Sequence, residues 1–463
     1  MGVTQTLAEF VVGTDYSDLP AKAVELAKRS ATDCVASALA GCQESVGRTV
    51  TAYVRQLGGA PQAAVIGGGF RTSAPEAALA NGTVAHALDY DDGGAGVGHP
   101  SVLVWPAALS LGDHLQASGS DVLAAYILGL EVMGKVGLAS GYRSSNGGFD
   151  HHAFFGALGA TAAAASLLKL DASQTATAFG IAAGLACGLH GNHGTDMGPM
   201  VAGTACRNGV MAALLARDGL SANQAIVEGK EGLCHSFMGA DRLDAAKLAK
   251  SLGNPFYVVS PGLGLKKYPS CMFTHRVLEA LLPLVHEHGL RADQVEDVEV
   301  GTSAKAQSVL AFAEPQTTLQ GKFSMQHCVA AALVDGEVTL KSFAPEKLRD
   351  PRILDARRKV RLTYPDLPLF PGLTNVEPGR RYAGNPVTVR LKDGRCYSAH
   401  ADVLRGDPEL PLSDEELARK FTDCAQRTLA PDALRRSLDL LTHMETLANV
   451  RELTDVLMVA GHP

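Results

Sequence analysis

Apolar residues recur at helical spacing through most of the chain up to about Pro261. The first clear helix starts just after Asp18-Leu19-Pro20, a cap residue and an early proline. It runs through AKAVELAKRSATDCVASALAG and stops at Gly41. Further helices are predicted over APEAALANGTVAHAL, VLVWPAALSLGDHL, DVLAAYILGLEVMGKVGLAS, AFFGALGATAAAASLLKL, SQTATAFGIAAGLACGL and RNGVMAALLARDGL. Their alanines and glycines let neighbouring helix backbones approach closely. No fixed-period repeat is present, which argues against a solenoid.

After Pro261 the period changes. VEDVEVGTS (Val295 to Ser303), KVRLTY (Lys359 to Tyr364) and NPVTVRLKDGRCYSAHADV read as strands, and Asp393-Gly394 in the last is a hairpin signal. Near Leu412 helical spacing returns, with Ser413 and Glu416 set as a capping box. The expected fold is therefore mainly α with an inserted α+β domain. Residues 1–265 and 401–463 form the helical domain, and 266–400 form the smaller one.

Composition narrows the class of function. Hydrophobic residues make up 46% of the 463 while aromatics make up 5% with one tryptophan, so the core must be built from small aliphatic side chains, as in closely packed helices. A formal charge of -7 and a pI near 6.1, without a basic block, argue against nucleic acid or an anionic membrane as partner and point to a small molecule. Nine cysteines stand singly with no CxxC pair, which excludes a zinc ribbon or disulfide framework and points to a reducing compartment. The N-terminus lacks the charge-then-apolar order of a secretory signal, and Met1-Gly2 with Thr6 has no polybasic neighbourhood to support myristoylation. No apolar run reads as long enough to span a bilayer, so the expectation is a soluble cytoplasmic protein.

Four polar clusters interrupt the apolar pattern. The acidic loop NGTVAHALDYDDGGAGVGHPSVLVWP carries Asp89, Asp91 and Asp92, a turn with Gly93, Gly94, Gly96 and Gly98, and His99-Pro100 between apolar flanks. It reads either as a catalytic pocket with shifted proton affinities or as a turn whose aspartates cap the next helix. GYRSSNGGFDHH places Tyr142, Arg143, Asp150, His151 and His152 before a small-residue helix whose N-terminus favours an anion, the alternative again being a cap. GLHGNHGTDMGPMVAGTACRNG holds His190, His193, Asp196 and Arg207 among glycines, and His190 reads as structural. LGLKKYPSCMFTH sets Lys266, Lys267 and Tyr268 ahead of His275, where cations and an imidazole can clamp carboxylates and move protons, although the lysines alone read as solvated.

Taken in this order, ALDYDD, HPS, FFGALGATAAAA, CRNGVMAALLA, KKYPSCMFTH and GKFSMQHCVAAAL resemble the MmgE/PrpD family over nearly the whole chain. The resemblance implies a helical domain, an inserted α/β lid domain, a homodimer and cofactor-independent lyase or isomerase chemistry on small carboxylates. It implies site roles for Asp89, Asp92, His99, the Asp150-His151-His152 run, Lys267 and His275. Three segments depart from the family pattern. Gly198 and Val201 stand where a Gly-Thr-x-x-Lys-x-x-His run has its lysine and histidine, Asp150 replaces a histidine after Gly-Phe, and His327 replaces a tyrosine.

Chemistry of this type needs a base beside a carboxylate, an acid for the leaving or returning group, and cations or amides that hold the carboxylates. His99, His275, Asp89, Asp92 and His151 are the catalytic candidates; Lys267, Tyr142, Arg143, His152, His193 and His327 are the anchor candidates. No metal and no cofactor are expected. Dehydration leads, with epimerisation and decarboxylation as alternatives. A magnesium-diphosphate reading of Asp89-x-Asp91-Asp92 lacks a second acidic motif. A non-catalytic helical interaction protein is the remaining alternative, against which His99 and His275 speak.

Overall fold

A computed structural model describes residues 2–141, 148–192, 194–239, 242–363 and 385–458. The chain forms two compact units. The first comprises Met1–Ala87, Asp91–Leu265 and Ser413–Pro463; the second comprises Lys266–Leu412 together with Leu88–Tyr90, three residues from the middle of the acidic loop.

The first unit is helical. Its main elements are Ala21–Gly41, Ala74–His86, Ser101–Leu115, Gly119–Ser140, His151–Leu167, Ala172–Leu185 and Met197–Arg217, joined by Asp414–Ala425, Pro431–Thr442 and Arg451–Met458. An additional N-terminal helix, Val3–Val12, precedes the expected first one and buries Val3, Leu7, Ala8 and Val11. Met197–Arg217 begins ten residues before RNGVMAALLARDGL, so half of the glycine-bearing segment read as a loop is helix. Packing explains Gly203. A Cβ on Gly203 would lie 2.2 Å from the Leu79 carbonyl oxygen, so the helix crosses Ala74–His86 backbone to backbone and only glycine fits.

Gly119–Ser140 is long and apolar enough to cross a membrane, contrary to the expectation from sequence, but 94% of its apolar window is buried inside the unit. It is a core helix, and it carries buried Glu131 and Lys135. The return segment opens on the expected capping box. Glu416 N–H donates to Ser413 Oγ at 3.2 Å and Ser413 N–H to Glu416 Oε2 at 2.7 Å. Lys420 then ties Asp414–Ala425 to Ala21–Gly41 through a buried ion pair with Asp33 at 2.6 Å.

The second unit packs the helices Met272–His288 and Met325–Asp335 with a four-stranded sheet. The strand order is 360–363, 295–301, 387–391, 396–399; the first pair is parallel and the others antiparallel. Alternation in Val387–Leu391 places Val387, Val389 and Leu391 inward beside Val295, Val298 and Val300. The hairpin turns at Asp393-Gly394, with Arg390 opposite Cys396. The unit continues past residue 400 to Leu412, because the Arg276 guanidinium holds the carbonyls of Ala401 and Asp402.

Candidate active site

In the first unit the acidic loop starts where Ala74–His86 ends. His86 closes that helix, and Asp91, fully buried five residues later, meets it: His86 Nδ1 lies 3.0 Å from Asp91 Oδ1. His99 Nδ1 lies 2.8 Å from the other oxygen, Oδ2. An ionised carboxylate only accepts, so both imidazoles carry a proton on Nδ1, which fixes their tautomers and leaves Nε2 as the basic nitrogen. Burial would raise the Asp91 carboxyl, but the His86 and His99 imidazoles outweigh it and hold the group well below its ordinary value.

Asp92 is equally buried and differently partnered. Its Oδ1 accepts Ser101 N–H at 3.1 Å and its Oδ2 meets the Ser101 hydroxyl. Asp92 thereby caps Ser101–Leu115, whose flanking residue Pro100 has no side-chain bond to give. The Ser101 hydroxyl continues into Ser30 (2.8 Å) and Tyr126 (2.7 Å), and the Trp105 indole N–H donates to Ser30 at 3.0 Å. Burial, with the Asp33 carboxylate nearby, pushes Asp92 up to about 8.

A third group closes on the same loop. Asp150 caps the helix His151–Leu167 by accepting His152 N–H at 3.0 Å, and the same Oδ1 lies 2.9 Å from His152 Nδ1. Burial opposes ionisation of Asp150, yet the two histidines hold it below the carboxylate range. Burial, reinforced by His152, pushes His151 well below its usual value. His99 N–H points to His152 Nε2 at 3.4 Å. The ring centroids of His86, His99 and His152 stand 4.7, 5.6 and 5.6 Å apart. Gly98, at φ +74°, makes this approach possible, since a Cβ there would lie 2.3 Å from His151 Nε2 and 2.5 Å from His152 Nε2. Among these rings His99 is the most open, with 23% of its side chain exposed against 11–12% for His86, His151 and His152.

The glycine-rich loop has its own support. Tyr257 donates its hydroxyl to the Ala95 carbonyl at 2.7 Å, and Glu131 of the helix Gly119–Ser140 receives the amides of Gly253 and Tyr257. Burial pushes Glu131 up to about 7 despite Lys135.

In the second unit Asp89 sits in the left-handed region, at φ +51°, where a non-glycine residue needs outside support. Two buried lysines give it. Lys266 Nζ bonds Asp89 Oδ1 at 2.8 Å as well as the Asp89 carbonyl, and Lys322 Nζ bonds the Leu88 carbonyl at 2.8 Å. Tyr90 adds a bond from its hydroxyl to the Lys267 carbonyl at 3.0 Å.

Lys267 itself pairs with Glu279 at 2.8 Å, which also accepts the Tyr268 hydroxyl at 2.6 Å. His275 is 1% exposed, with Nε2 3.1 Å from the Ser270 carbonyl and its ring edge-on to Tyr268. His327 lies inside the core of this unit; its Nε2 donates to the Ser342 carbonyl at 2.8 Å and burial pushes it down to about 4.

The structure thus brings together His99, His151 and His152 in the first unit, sets Asp92 there as a helix cap, and places Asp89, Lys267, His275 and His327 in the second. Tyr142, Arg143 and His193 lie outside the described residues. Gly198 and Val201 fall in Met197–Arg217, where Val201 is buried and a Cβ at 198 would meet nothing within 4 Å among the described residues. Sequence reasoning passed over His86, which reads as the polar end of an apolar helix. It also passed over Lys322 and read Lys266 as a carboxylate clamp or a solvated lysine, because burial of a lysine carries no local pattern.

Comparison with known proteins agrees with this architecture. The MmgE/PrpD N-terminal domain model matches residues 5–246 and the MmgE/PrpD C-terminal domain model matches residues 268–446. The chain belongs to the MmgE/PrpD family. Among curated relatives, cis-aconitate decarboxylase of Mus musculus is 26% identical over 98% of this chain and 93% of its own length. The Homo sapiens enzyme of that name is 26% identical over 100% and 95%. The mitochondrial 2-methylcitrate dehydratase of Yarrowia lipolytica is 25% identical over 85% of this chain and 77% of its own.

Proposed function

We propose that this protein is a cofactor-independent lyase that removes a proton beside a carboxylate of a small di- or tricarboxylic acid, in the manner of a dehydratase. The observation that carries the reading is the Asp91–His99 pair, a buried carboxylate holding the most open imidazole of the cluster with its Nε2 as the basic nitrogen. In the proposed step His99 Nε2 takes the carbon-bound proton, the electrons pass to the adjacent carbonyl system, and Asp91 stabilises the imidazolium through Nδ1. For dehydration the electron pair then returns to form the double bond and the hydroxyl leaves as water with the proton held by the His99 imidazolium, which restores the base. The names of the relatives, a decarboxylase and a dehydratase, support a small carboxylate as substrate. The chemistry open to the same base includes epimerisation, in which the proton returns to the opposite face.

The test is a screen of hydroxy and unsaturated di- and tricarboxylates, scored by gain or loss of conjugated absorbance. Turnover of at least one substrate, lost in His99→Ala, supports the reading; no turnover of any member sinks it. We also propose a homodimer formed through the helical unit, which sedimentation reads as twice the 48.3 kDa chain mass.

A further inference from the structure

A general base needs one orienting carboxylate, and His99 has it in Asp91. The second imidazole on that carboxylate, His86, is surplus to such a pair. His86, Asp91 and His99 place one ligating atom each within 4.8 Å of one another. His86 Nδ1 lies 3.0 Å from Asp91 Oδ1 and His99 Nδ1 lies 2.8 Å from Asp91 Oδ2, so each imidazole faces its own carboxylate oxygen. An ion held tetrahedrally by imidazole nitrogen and carboxylate oxygen at about 2.0–2.2 Å requires edges of roughly 3.3 Å, so small side-chain shifts admit it. Two imidazoles with one carboxylate match zinc and its first-row neighbours, whereas magnesium and calcium prefer all-oxygen sets.

We propose that His86, Asp91 and His99 form a binding site for a divalent transition ion, and that the ion inhibits the enzyme. On binding through Nδ1, the ion displaces the proton there to Nε2, and His99 then has no lone pair with which to accept a proton from carbon. The inhibition rests on the base role proposed for His99, whereas the binding does not. The neighbouring group Asp150, His151 and His152 also brings its atoms within 4.8 Å, but its His151–Asp150 edge is 3.9 Å and the carboxylate is already committed to a helix amide.

The experiment titrates zinc into metal-stripped full-length protein against a chromophoric chelator. The expected result is one equivalent per chain with a dissociation constant on the order of 1 µM or tighter. His86→Ala, and independently His86→Gln with its fold checked by circular dichroism, should weaken that equivalent by about a hundredfold or more. His151→Ala and the exposed His286→Ala should leave it within about threefold. Absence of an equivalent tighter than about 100 µM, wild-type affinity in both His86 variants, or loss in His151→Ala in their place would each overturn the site. If zinc binds as expected but turnover is unchanged, the site stands and the inhibition falls.

Discussion

Asp91 and Asp92 are neighbours in the chain and equally buried, yet their surroundings drive them to opposite charge states. Around Asp91 stand two imidazoles, and the carboxylate stays ionised. Around Asp92 stand a helix amide, a hydroxyl network and the carboxylate of Asp33, and its proton affinity rises to about 8. Burial acts on both in the same direction, so the chemistry of the partner decides the outcome. The division is also one of labour: Asp91 orients histidines, while Asp92 closes the start of the helix that follows His99. Asp89, two residues before Asp91, follows a third course, pairing with a buried ammonium in the other unit.

The largest expected effect falls on the Asp91 side. His99→Ala should lower turnover by about two to four powers of ten, and it should also lower the melting temperature, because the buried Asp91 carboxylate loses one of its two imidazoles. His275→Ala should lower turnover by about a hundredfold, and its burial means that the melting temperature falls as well. Lys266→Met should cost about 3–5 kcal/mol in chemical denaturation, since it strands the Asp89 carboxylate. Lys267→Met, which breaks a partly exposed pair, should cost about 1 kcal/mol or less. Equal losses would erase the distinction between the two lysines.

A pH series sharpens the contrast between the two buried aspartates. The folded value of Asp92 lies above its ordinary 3.8, so its contribution to stability is full below about pH 4 and is lost as the pH rises toward 8. Asp91 is depressed, so its contribution is present above the ordinary carboxylate range and is lost as the pH falls through its folded value. Asp92→Asn should therefore lose less melting temperature than wild type between pH 6 and pH 9, and parallel curves would contradict the assignment. The smallest effect is expected from chelation. Activity in excess EDTA should equal or slightly exceed that of untreated enzyme, and a loss restored by a divalent ion would remove the cofactor-independent reading.

Much of the fold could be read from local pattern. The helix after Pro20, the Ser413–Glu416 capping box and the Asp393-Gly394 hairpin all depend on residues within a few positions of one another, and all appear where expected. In the acidic loop Asp92 caps a helix, as the turn reading has it, whereas Asp91 gathers imidazoles. Nothing local distinguishes them, because the partners arrive from positions as distant as His99 for one and Ser30 and Tyr126 for the other's network.

What the amino-acid sequence determined by itself was the family, the helical body with an α/β segment inserted in it, and the set of polar residues from which a site could be drawn. Tertiary structure decided which of them are held in which state. It buried Lys266 and Lys322 against the backbone of Leu88 and Asp89, took His327 into a core, brought His86 to Asp91, the carboxylate that holds His99, and required Gly203 and Gly98 where two backbones or two rings close. The physical reason is range. Helix caps and hairpins are set by neighbours along the chain, whereas burial, ion pairing and proton affinity depend on groups that only folding brings within a few ångströms.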